Sequence, residues 1–72
     1  MHPAMVDIRE RLGSNIRRFR TERGLSQEAL PALASIHRTY VSDIERGARN
    51  PTIAIVQRLG DALGVEAADL LR

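Results

Sequence analysis

The chain has 72 residues, with eleven arginines, no lysine and nine acids, for a formal net charge of +2 at pH 7. That length suits one domain near the small end of what folds unaided, and the absence of cysteine excludes a disulfide framework or a thiolate metal site. Two histidines, His2 and His37, are too few for a histidine metal cage, and no apolar run approaches the roughly 18–20 residues of a membrane span.

Met1–Met5 lacks the charged and apolar regions of a signal peptide, so the default expectation is a soluble, cytoplasmic protein without a membrane partner. The charge is unevenly placed. Residues 1–58 hold ten arginines and six acids, whereas residues 59–72 hold one arginine and three acids. One basic end and one mildly acidic end are expected where only one end meets a polyanion. The use of arginine alone matches a codon bias that the many alanines also suit.

In chain order, residues 1–5 carry no pattern and are expected to fray, leaving residues 6–72 as a single domain. Ile8, Leu12, Ile16 and Phe19 recur at helical spacing and predict a first helix from about Val6 to Arg23. Gly24 closes it, with Gly13 a tolerated weak spot in its interior. Ser26 is the predicted N-cap of a second helix running to about Ala34, burying Leu30, Leu33 and Ala34. Pro31 has no N–H for the Gln27 carbonyl and crowds it, which predicts an irregular first turn or a kink.

His37–Gly47 is a short third helix whose Val41 and Ile44 form an apolar underside with Ile36 just ahead. Arg38, Thr39, Ser42, Asp43 and Arg46 point elsewhere, and so little apolar area cannot hold a helix in place by itself. Pro51 forces Asn50 extended, and Thr52 caps a fourth helix carrying Ile53, Val56, Leu59, Ala62 and Leu63. Gly64 ends it, and Val65–Leu71 forms a fifth around Leu70 and Leu71. The expected fold class is all-α, a bundle of five short helices.

Gln27–Ile44 has the layout of a helix-turn-helix, with buried positions at Leu30, Ala34, Ile36, Val41 and Ile44. Here the chain resembles the phage repressor and Cro-type (lambda-repressor-like) DNA-binding family over roughly residues 9–71. The resemblance rests on Ile16-Arg17-x-x-Arg20 followed by Gly24-Leu25-Ser26-Gln27, on His37-Arg38-Thr39-Tyr40-Val41-Ser42-x-Ile44-Glu45-x-Gly47, on Asn50-Pro51-Thr52 and on Ala62-Leu63-Gly64-Val65. The second of these pieces looks particularly like restriction–modification controller proteins. Two positions depart from the family, which usually has alanine at Pro31 and glycine at Ser35. A left-handed Ser35 would cost on the order of 1 kcal/mol.

The resemblance implies a sequence-specific transcriptional regulator of double-stranded DNA. An enzyme is the poorest fit, since nothing in the sequence suggests a cleft or an oriented base, and no cofactor, metal or small-molecule effector is expected. Arg38 and Thr39 would face bases, since arginine can bond guanine O6 and N7 together and threonine can touch a thymine methyl. Asp43 would accept from cytosine N4 or hold Arg38 or Arg46 in position. Gln27 resembles a phosphate-clamping glutamine at a helix start. Tyr40, Ser42, Arg46, Arg49, Asn50 and Thr52 would meet the DNA backbone, with Thr52 also a cap.

Arg20 and Glu45 match a pair that in this family forms a partly buried salt bridge. A homodimer on a palindromic operator would use Ile55, Val65, Leu70 and Leu71; the alternative is that these complete the monomer core, a reading at least as strong for Leu70. Control would run through protein concentration and autoregulation. An antitoxin or phage-type repressor of its own operon, and a protein-interaction module that keeps the fold without DNA, are the alternatives.

Overall fold

The computed structural model describes residues 7–72, which form α1 (Ile8–Glu22), α2 (Ala29–Ala34), α3 (Arg38–Glu45), α4 (Ile53–Leu63) and α5 (Ala67–Leu70). Among these residues the elements are helices joined by tight turns and loops. All five helices feed one core. Leu12 and Ile16 come from α1, Leu30 and Ala34 from α2, and Val41 and Ile44 from α3, joined by Val56, Leu59 and Leu63 of α4 and Leu70 of α5.

The helix ends follow local chemistry. Asp7 starts α1, its carboxylate accepting the Arg9 backbone N–H at 2.8 Å. The expected start at Val6 lies outside the described residues. Thr52 caps α4, its hydroxyl accepting from the Ile55 N–H at 3.2 Å. At the other ends, α1 and α4 are followed by left-handed Gly24 and Gly64, and the turn after α3 by left-handed Gly47. The α2 end uses the same geometry without glycine: Ser35 sits at φ 57° and ψ 44°, the conformation anticipated to be strained there.

Pro31 expresses itself as an irregular first turn of α2. The Ala29 N–H closes back on both the Ser26 carbonyl, at 3.2 Å, and the Ser26 hydroxyl, at 3.0 Å. The regular helix therefore begins only at Ala29, three residues beyond the predicted cap. A proline at position 31 cannot donate to Gln27, so this tighter turn loses nothing there.

Three expectations need correction. Leu33 is 61% exposed rather than buried. Pro31 and Ala34 flank Leu30 on one side of α2, and Leu33 falls on its other side, beyond the buried arc. Gly13 is a required close approach, not a weak spot: a Cβ there would lie 2.6 Å from the Glu45 carbonyl oxygen and nearer still to that of Ile44. The fifth helix is shorter than expected, starting after Glu66, whose backbone N–H donates to Asp69 Oδ2 at 3.0 Å.

Candidate nucleic-acid interface

The helix α3 is fixed from three sides before any of its outward-facing polar residues is considered. Beneath it, Val41 and Ile44 are buried at 2% and 0% exposure. Behind it, the Gly13 backbone lets α1 cross against the Ile44 and Glu45 carbonyls. At its last turn, Glu45 is gripped by Arg20 from α1. Arg20 Nε donates to Glu45 Oε2 at 2.7 Å and Nη2 to Oε1 at 3.2 Å, while Nη1 donates to the Leu25 carbonyl at 2.9 Å.

Both side chains of this pair are nearly buried, at 9% and 5% exposure. The two-pronged geometry and the third bond to Leu25 satisfy the guanidinium in a place where an unpaired charge would be costly. Arg17 adds a longer, more exposed approach to the same carboxylate, with Nε 3.8 Å from Oε1. No buried side-chain nitrogen or oxygen among the described residues lacks a partner.

The start of α3 is capped by His37, whose Nδ1 accepts the Thr39 backbone N–H at 3.1 Å. Histidine is not a usual N-cap, so nothing local in the sequence marked it. Arg38, Thr39, Ser42 and Arg46 are exposed, and Tyr40 and Asp43 are half-buried beside them. Gln27 is also exposed in the turn that opens α2, as are Arg49, Asn50 and Thr52 beyond α3.

These residues are not independent. Arg38 Nη2 lies 3.2 Å from Glu28 Oε2, an exposed pair joining the start of α2 to the start of α3. Asp43 pairs with Arg46 on its own helix, and its second oxygen lies 3.4 Å from Arg49 Nε. The Arg49 guanidinium also lies over the Tyr40 ring at 4.7 Å from its centroid. Asp43 thus lies between Arg46 and Arg49, while Arg38 pairs with Glu28 instead.

The far end behaves differently. Ile55, Val65 and Leu71 are half-buried, whereas Leu70 is wholly buried at 0% exposure and belongs to the core. Of the two readings open for Leu70, the core reading is the one its position supports. Ile53, assigned only to the apolar stripe, is 83% exposed at the start of α4. It edges a surface groove with Gln57 and Val65.

A family model described as helix-turn-helix matches residues 16–70 of this sequence. The chain belongs to the helix-turn-helix family. Control protein C.BamHI from Bacillus amyloliquefaciens is 42% identical over 66 residues, covering 90% of this chain and 82% of that one. Among solved structures, the restriction-modification controller protein C.AhdI from Aeromonas hydrophila superposes with a TM-score of 0.83 at 39% identity, covering 86% of this chain and 94% of that one. SinR, the master regulator for biofilm formation, solved in complex with DNA, gives a TM-score of 0.81 at 32% identity over 85% of this chain and 98% of that one.

This helix-turn-helix protein is a transcriptional regulator of the controller-protein type and not an enzyme. Its signature helix pair is α2 and α3, joined by the left-handed Ser35 turn. A further brace, unmarked in the sequence, supports that turn. Arg58 on α4 donates through Nη2 to the Ala34 carbonyl at 3.1 Å and to the Ser35 carbonyl at 2.6 Å. Asn15 plays a matching part at the opposite end, its amide donating to the Leu70 carbonyl at 2.9 Å and the Arg72 carbonyl at 3.0 Å. Among the described residues, no helix is long and apolar enough to cross a membrane.

Proposed function

We propose that this regulator binds a palindromic operator as a homodimer and controls its own transcription unit in the cytoplasm. The observation that carries the reading is the braced, polar α3: its exposed edge of Arg38, Thr39, Ser42 and Arg46 is held out by the buried Arg20–Glu45 pair. A helix with rigid backing and a hydrogen-bonding outer face fits the major groove, where base edges carry a distinct donor and acceptor pattern. The similarity to controller proteins and to a regulator solved with DNA supports the same assignment.

In this reading Arg38 and Thr39 read bases from the first turn of α3. Gln27, Tyr40, Ser42, Arg46, Arg49, Asn50 and Thr52 engage phosphates on either side. Residues 6–72 act as one DNA-binding domain. One such module grips few base pairs, so affinity depends on pairing two modules across successive major grooves, about 34 Å apart. Ile55, Val65 and Leu71, with the exposed Ile53 beside them, supply the apolar surface for that pairing, while Leu70 supports it from within the core.

Selection of bound duplexes from a random pool tests the proposal. The expected product is a palindrome with half-sites about ten base pairs apart, bound by two chains per duplex in sedimentation. Recovery of no enriched sequence would falsify it. Enrichment of a lone half-site by a monomer would remove the dimer from it.

A further inference from the structure

We propose that Asp43 is a positioning residue that sets the ratio of specific to non-specific DNA binding, by holding Arg46 and Arg49 in one arrangement. The proposal rests on the operator-binding reading above and deepens it. Its starting point is the coordination of one carboxylate. One Asp43 oxygen pairs with Arg46, the other lies 3.4 Å from Arg49 Nε, and the side chain is 19% exposed. A carboxylate that reads cytosine must turn an oxygen lone pair outward to the amino group. Here each oxygen already faces a guanidinium.

The bracket extends further than the two ion pairs. Arg49 belongs to the loop after Gly47, and its guanidinium rests on the Tyr40 ring from the first turn of α3. Tyr40, Asp43, Arg46 and Arg49 therefore form one cluster that ties the loop back to the recognition helix. Two of its members, Arg46 and Arg49, are the exposed cations flanking that helix.

Two consequences follow from elementary electrostatics. First, the Asp43 charge cancels one of two positive charges at the edge meeting the phosphates, which weakens attraction to DNA of any sequence. Second, both arginines are held in place before DNA arrives. Fixed guanidiniums suit phosphates at one particular spacing and fit others poorly, and little side-chain freedom is lost when the right site is met. Asp43 lowers binding everywhere but lowers it least at the operator.

Asp43→Asn keeps the size and removes the charge. A fluorescent duplex carrying the selected palindrome and a scrambled duplex of equal composition are titrated with both proteins over a range of salt. The variant is expected to bind the scrambled duplex more tightly, on the order of tenfold at low salt, with a salt slope steeper by about one. The ratio of the two affinities should fall by a similar factor, and pool selection should show preferences flattened at every position.

A DNA-free measurement accompanies this. The NMR signals of Arg46 Nη and Arg49 Nε, the nitrogens that face Asp43, should be protected from exchange in the natural chain and lost in the variant. An unchanged affinity ratio overturns the proposal whatever the spectra show. Preference lost at a single base pair, with scrambled binding unchanged, overturns it in favour of direct reading by Asp43. If the natural chain itself enriches no sequence, the operator reading fails, and with it the specificity role; the spectra then still decide whether the bracket exists.

Discussion

Arg58 reaches from α4 to the carbonyl of Ser35, 2.6 Å away, and so braces the left-handed residue between the two helices of the motif. Among the described residues Ser35 is the one non-glycine with a positive φ. A Cβ in that conformation costs on the order of 1 kcal/mol. The same guanidinium also takes the Ala34 carbonyl, so it satisfies the end of α2 where the chain turns. Ser35→Gly should therefore raise stability by about 1 kcal/mol, and Arg58→Ala should lower it by about 1 kcal/mol. Urea unfolding of the two variants checks both signs. A destabilised Ser35→Gly would mean the strain is not there.

The Arg20–Glu45 pair should behave asymmetrically. Arg20→Ala leaves the Glu45 carboxylate nearly buried with, among the described residues, the longer Arg17 approach at 3.8 Å. Loss of one partner from a buried pair costs about 3–5 kcal/mol, a large part of what a domain this size has. Replacing both partners with apolar residues of similar volume should cost far less, because no charge is stranded. Thermal unfolding of Arg20→Ala and of the double variant Arg20→Met/Glu45→Leu decides it. Unchanged melting in Arg20→Ala would show that the pair orients nothing.

Gly13 should tolerate no side chain. Its missing Cβ is what allows α1 to lie against the α3 carbonyls, with 2.6 Å to the Glu45 oxygen for an added methyl. Backbone cannot move aside as a side-chain tip can, so Gly13→Ala should cost on the order of 3 kcal/mol. It should also tilt α3 away from its present position. An alanine variant as stable as the natural chain, by urea unfolding, would mean that the two helices have room to separate.

Gly13 also marks where sequence reading reaches its limit. The apolar stripes, the Thr52 cap, the glycines that end α1, α3 and α4, and the irregular opening of α2 at Pro31 all follow from neighbours within a few residues. They were legible for that reason. Gly13 looks like a helix defect because its partner, the 44–45 backbone, lies some thirty residues away. Nothing local marks Arg58, and only the fold brings the 34–35 carbonyls to it. Leu33 fits the helical period, but a six-residue helix has one narrow buried arc, and Pro31 had already filled its other flank. The polar face of α3 was visible as a set of residues. Its internal pairing, Arg38 with Glu28 and Asp43 with both Arg46 and Arg49, was not.

Acid should weaken the start of α1 in a narrow window. Hydrogen bonds from the Arg9 side chain, and then from its backbone N–H, hold the Asp7 carboxyl down from 3.8 to about 2. A carboxyl lowered in the folded state stabilises it fully above its unfolded value, and that contribution fades as pH falls through the folded one. The Asp7 contribution should thus be intact above about pH 4 and gone below about pH 2. Asp7→Asn retains a capping oxygen without the charge, so its unfolding profile should lack this component. Subtracting the two profiles isolates it; parallel profiles between pH 4 and pH 2 would refute the assignment.

Base readers and phosphate binders should part company in binding measurements. Arg38 sits in the first turn of α3, exposed, and among the described residues its guanidinium pairs with the equally exposed Glu28 at 3.2 Å. That pair is a surface one and worth at most about 1 kcal/mol, so a guanine edge offering two acceptors can displace it. Arg38→Ala should then cost about 1–3 kcal/mol on the selected operator and relax preference at one base pair per half-site. Gln27→Ala, by contrast, should weaken every duplex alike, because a phosphate contact carries no sequence information. Binding of both variants to a panel of single-base operator changes separates the roles. If Arg38→Ala weakens all duplexes equally, Arg38 is a backbone contact and the reading edge of α3 must lie with Thr39 and Ser42 instead.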